Sequence, residues 1–158
     1  MVMNNDSHRR LEAVLDHEID AARSLAATLN AERVALTGNS PEAVVEKAAR
    51  KTELFAMIEK LEVQRRELCD AASISLPNIQ CGRTPVMSGV SDTVTDRWHA
   101  LLELIAGCRV ANEVNGYIIN ARRGQMNQLF QVLRGGAPVT YGPQGKTFAS
   151  SLRALARA

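Results

Sequence analysis

The chain has 158 residues, a net charge of +2, 46% hydrophobic residues and only 4% aromatic ones. That length suits one domain, or one domain with a tail. The core must be filled by Leu, Ile, Val and Ala, which favours helices packed side by side. The near-zero charge leaves no footprint for nucleic acid, no run of about 18 apolar residues exists to enter a membrane, and three Cys residues make no disulfide framework.

The N-terminus, MVMNNDSHRR, is polar and lacks the apolar core of a signal peptide, so a cytoplasmic location is expected. Asp6 or Ser7 can cap a first helix over 6–37. On it Leu11, Leu15, Ala22, Leu25, Leu29 and Leu36 form a heptad stripe, with Glu18 and Glu32 at stripe positions that apolar residues normally hold. Gly38-Asn39-Ser40-Pro41 reads as stop, turn and restart. Gly38 is placed at the left-handed position, Ser40 at the N-cap and Pro41 at the first helical residue.

A second helix is predicted over 41–72. Its stripe is Val44, Leu54, Ile58, Leu61, Leu68 and Ala72, with Lys47, Lys51 and Arg65 between them. The short turn forces the two helices antiparallel. Counting outward from it puts Glu32 near Lys47 and Glu18 level with Leu61 to Arg65. Acids of the first helix should therefore meet bases of the second and fix their register. Residues 73–90, with Pro77, Gly82, Pro85 and Gly89, read as a mobile connector long enough to return along part of the bundle.

The longest element is predicted over 91–134, capped by Ser91 or Asp92. In alternating steps of four and three its seam is Val94, Trp98, Leu101, Ile105, Cys108, Asn112, Asn115, Ile119, Arg122, Met126, Leu129 and Leu133, nine of twelve apolar. It would run roughly 60 Å. The fold class is thus all-α: three long helices in an antiparallel bundle or coiled coil over 1–134, then a tail over 135–158. The tail carries +3 (Lys146, Arg153, Arg157, no acid), leaving −1 (+2 − 3) for residues 1–134. One short helix is predicted in it, over 148–157, where Phe148, Leu152 and Leu155 share a face.

Catalytic and cofactor chemistry finds little support. Gly142 to Thr147 (GPQGKT) lacks the first glycine of a phosphate loop, that position being Thr140, and lacks the strand before it; it reads as a turn. Asp16-His17-Glu18 point in different directions on a helix, no Glu-x-x-His pair occurs, and the cysteines have no zinc spacing. No enzyme, cofactor or metal site is expected. Asn112 and Asn115 stand out instead. A polar seam residue selects register or partner, and Gly116 would let another backbone approach.

Several segments resemble a known family. They are Glu46-Lys47 with Leu54, Leu61 and Arg65-Arg66; Asp96-Arg97-Trp98; Asn112-Glu113-Val114-Asn115-Gly116 followed by Ile118-Ile119; and Thr140-Tyr141-Gly142-Pro143-Gln144-Gly145-Lys146-Thr147. In order and spacing they resemble the FlgN flagellar export chaperones. The resemblance implies a non-enzymatic cytoplasmic chaperone that binds hook–filament junction proteins, prevents their premature assembly and delivers them to the FlhA export gate. It implies gate docking through Tyr141, presented by the turn that runs from Gly142 to Gly145. A client helix completing an under-covered bundle would contact Asn112, Asn115, Ile119, Met126 and Leu129, and Phe148, Leu152 and Leu155 in the tail. The competing reading is a self-associating coiled-coil adaptor whose seam is buried in a homo-oligomer.

Overall fold

A computed structural model describes residues 5–76 and 90–134. Three helices make up almost all of it: α1 (Asn5–Thr37), α2 (Pro41–Ala72) and α3 (Asp92–Leu133). The described residues contain no strand. The middle of the connector with Cys81, the GPQGKT turn and the whole tail, including Tyr141, Gly142, Gly145, Phe148, Leu152 and Leu155, lie outside the described residues. The chain divides into two units, Met1–Gly116 and Tyr117–Ala158, so the division falls within α3.

Local chemistry explains four of the helix ends; α1 begins at Asn5, so Asp6 and Ser7, expected as its cap, lie within its first turn. At the close of α1 the left-handed residue is Asn39 (φ 58°), not Gly38 as expected. Gly38 instead donates its N–H to Val34 O at 2.8 Å, and Asn is the other residue type that adopts this conformation cheaply. Pro41 then occupies the first turn of α2, where no N–H is required, while Ser40, expected to cap it, makes no side-chain capping bond. α2 stops at Ser73, also left-handed (φ 54°). Ser73 N–H reaches Asp70 O (3.2 Å) and Ile74 N–H reaches Cys69 O (2.8 Å). These two bonds form a Schellman closure, and its usual apolar contact is supplied by Ile74 and Cys69, both in the core. α3 is capped by Ser91, whose Oγ accepts from Val94 N–H at 3.3 Å.

Within the first unit the cross-helix contacts define direction. Glu32 meets Lys51 and Glu18 meets Arg65, so α2 runs antiparallel to α1. Asp16 meets Arg97, and Leu29 O meets Asn115, so α3 runs parallel to α1. The order is up, down, up. Every position of the predicted α1 stripe is buried, the two glutamates included. One cluster joins Leu11, Leu15, Ile19 and Ala22 of α1 to Cys69 of α2, Ile74 beyond it, and Val94, Trp98 and Leu101 of α3. A second joins Leu25 and Leu29 to Leu54 and Cys108. Fully burying a leucine contributes about 1.5–3 kcal/mol, and Leu11, Leu15 and Leu29 are each wholly inaccessible.

This topology fixes where the connector starts and ends. The C-terminus of α2 and the N-terminus of α3 both belong to the first cluster, so they lie at the same end of the bundle. The chain has no need to travel back along the bundle between them.

In the second unit the described residues are the last part of α3 and Arg134. α3 has 42 residues against 33 and 32 for α1 and α2. From Tyr117 onward its large side chains are mostly exposed: Tyr117 74%, Met126 50%, Leu129 52%, Phe130 52% and Leu133 72%.

Candidate functional site

Two polar layers cross the first unit. In the lower one both carboxylate oxygens of Glu18 accept from Arg65 Nε, at 3.2 and 3.0 Å. The same guanidinium lies 4.6 Å from the centre of the Trp98 ring, a cation–π stack. Burial pushes the Glu18 carboxyl above the ordinary carboxylate range, and the Arg65 charge and hydrogen bond pull it only part of the way back. Arg97 reaches Asp16 at 2.6 Å and Glu12 at 3.9 Å on the nearby surface.

The upper layer is a network. Asn115 Nδ2 donates to Leu29 O and to Glu32 Oε2, both at 2.8 Å. Asn115 Oδ1 accepts from Arg33 Nε at 3.3 Å. Glu32 Oε1 accepts from Lys51 Nζ at 2.7 Å, and the same ammonium reaches Asn112 Oδ1 at 3.4 Å. Lys51, not Lys47, is thus the partner of Glu32; Lys47 pairs with its neighbour Glu46. A buried asparagine with both donors and its acceptor engaged is a register device of the bundle itself.

The seam residues of α3 therefore do not share one environment. Val94, Trp98, Leu101 and Cys108 are core. Asn112 is exposed. Asn115 is 1% exposed and committed to α1, so the structure does not offer it to a client; its amide is needed inside. Within the chain itself nothing approaches Gly116: a Cβ built there meets nothing within 4 Å. Ile119 is half-buried, and Met126 and Leu129 are exposed. Phe130 and Leu133 extend the same apolar surface. Phe130 escaped the sequence reading because steps of four and three pass over it, although its place beside Leu129 was the available signal.

A groove of about 310 Å³ also opens between α2 and α3. Phe55, Ile58, Ile105 and Cys108 line it, Leu25 lies in its floor, and Arg109 stands at its edge. Burial raises the thiol pKa of both Cys69 and Cys108, so neither is poised as a nucleophile. Groups of His, Cys, Asp and Glu that could hold a metal are absent among the described residues. None of the described helices is long and apolar enough to cross a membrane. The arrangement offers apolar helix faces and register-setting polar layers, which bind other helices.

The family model described as FlgN protein matches residues 1–148. No curated protein and no solved structure matches the chain significantly. The match covers nearly the whole chain, including all three helices, and the all-α bundle agrees with the fold class read from the sequence. The chain belongs to the FlgN family, the flagellar export chaperones.

Proposed function

We propose that the chain binds hook–filament junction proteins in the cytoplasm, keeps them from assembling early, and hands them to the FlhA export gate. The family's clients are hook-associated proteins. The observation that carries the reading here is the exposed apolar run of α3, with Met126, Leu129, Phe130 and Leu133 each about half exposed or more. Such an exposed apolar run marks an interaction surface and suits a helix-in-groove partner. Ile119, Met126 and Leu129 form the client seat, and exposed Asn112 offers an amide on the same helix. Phe148, Leu152 and Leu155 add a tail contact. Asn115 acts from inside, by holding α3 against α1. Tyr141, followed by the Gly142-Pro143-Gln144-Gly145 sequence, docks at the gate; a tyrosine ring supplies large contact area at small rotamer cost.

Co-purification with a hook-associated protein of the same bacterium tests the reading. Leu129→Asp should abolish the complex. Tyr141→Ala should leave it intact while export and gate binding fail. Loss of both functions in Tyr141→Ala would refute this division of labour. A concentration-independent homodimer that buries Met126 and Leu129 and excludes the client would favour the adaptor reading instead.

A further inference from the structure

Acids and bases on the seams follow a pattern. In the first unit each carboxylate buried among apolar stripe residues belongs to α1, and a base of α2 meets it: Glu18 with Arg65 at 3.0 Å, Glu32 with Lys51 at 2.7 Å. α3 places one base on its own stripe, Arg122. Ile118 and Ile119 lie four and three residues before it, Met126 four after and Leu129 seven after, so it rises from the middle of the apolar face. Arg122 is half-buried and makes no ion pair or hydrogen bond among the described residues. The sequence supplies no acid beyond this point. Glu113 is the last one, and residues 114–158 hold Arg122, Arg123, Arg134, Lys146, Arg153 and Arg157, a charge of +6 against −4 (+2 − 6) for residues 1–113.

An arginine centred in an apolar face becomes expensive when a partner covers it, unless the partner brings a carboxylate to the same layer. The opposite face distinguishes a protein partner from a lipid surface. It carries the neutral amides Asn120, Asn127, Gln128 and Gln131. A helix lying on a membrane keeps its apolar face uncharged; this one sets Arg122 within that face, with Arg123 and Arg134 outside it.

We propose that residues 118–133 of α3 seat an amphipathic helix whose apolar stripe is interrupted by one Asp or Glu, and that this acid pairs with Arg122 and sets the register of the complex. The proposal rests on the client-binding reading and adds the chemistry by which a client is selected. Arg122 is then a specificity-determining residue. A helix with an equally apolar stripe but no acid in that layer is rejected, because it strands the guanidinium. The basic excess of the surrounding segment steers the same acidic partner.

Calorimetry on the full chain, with peptides tiled across the terminal helices of a hook-associated protein from the same bacterium, provides the test. Circular dichroism and Trp98 fluorescence report that each variant is folded. Arg122→Met and Arg122→Glu are expected to weaken binding by about thirty-fold or more, as loss of one member of a buried charge pair does. A peptide whose seam acid is changed to Arg should bind the Arg122→Glu chain better than the original peptide does. Arg122→Met binding as tightly as the parent, while Leu129→Asp abolishes binding, would overturn the acid pairing and leave the client seat standing. Failure of the parent chain to bind any peptide or the intact hook-associated protein would remove both. Binding to vesicles of equal parts phosphatidylcholine and phosphatidylglycerol, lost in Arg122→Glu while no peptide binds, would assign the face to a lipid surface instead.

Discussion

Glu18 and Arg65 show how a charge pair can be nearly dry and still be of modest value to stability. Both are at least nine-tenths buried, and desolvation raises the carboxyl despite the arginine beside it. A carboxyl raised in the folded state favours folding most below its ordinary value. Its contribution falls as pH rises through the raised value, because the folded chain holds the proton longer than the unfolded one. Arg65→Met strands the carboxylate and should cost about 3–5 kcal/mol at neutral pH. It also removes the charge that lowers the Glu18 pKa, so the penalty should shrink as the pH is lowered and the carboxyl takes its proton. The double variant Glu18→Leu with Arg65→Met should unfold at a urea concentration equal to or above the parent's. Equal losses at neutral and acid pH in the single variant would contradict this account. Asn115→Leu should cost about 1–3 kcal/mol in the same measurement, since it leaves Glu32 Oε2 without its Asn115 donor and removes the cross-helix bond to Leu29 O.

At the scale of the element, α3 changes role along its length without changing conformation. Gly107 and Gly116 lie within it, and a side chain at either would meet nothing within 4 Å. Neither glycine is required for packing, so each only weakens the helix. Gly107→Ala and Gly116→Ala should each stabilise by about 0.5–1 kcal/mol, read as a rise of a few degrees in Tm. A fall in Tm for Gly107→Ala would mean that the first unit closes more tightly around α3 than its geometry indicates. α2 is held at its end by a Ser in the left-handed conformation (φ 54°). Ser73→Gly should therefore be tolerated or mildly stabilising, because glycine occupies that region without a Cβ penalty.

For the whole molecule, the single tryptophan separates folding from binding. Trp98 is buried in the first cluster beneath Arg65. The exposed face that runs through Met126 and Leu129 belongs to the second unit. Met126→Asp with Leu129→Asp should leave Trp98 fluorescence and the unfolding midpoint of the first unit unchanged while removing the hook-associated protein from a co-purified complex. A shifted Trp98 spectrum in that variant would show that those residues support the bundle rather than a client.

The amino-acid sequence by itself determined the helices, the Ser91 cap of α3 and the α1 stripe, because periodicity and N-capping are local properties of the chain. It also placed Glu18 level with Leu61 to Arg65, since a three-residue turn leaves an antiparallel pair little freedom of register. Tertiary structure decided the rest. Asn112 and Asn115 are three residues apart and alike in chemistry, yet one is exposed and the other holds α1 in place; only the position of a neighbouring helix distinguishes them. Lys51 rather than Lys47 meets Glu32 because side-chain reach over the packed interface, not residue counting, selects the partner. The stripe of α3 continues unbroken in sequence, but burial depends on whether another helix lies against it, and that is a property of the assembled chain.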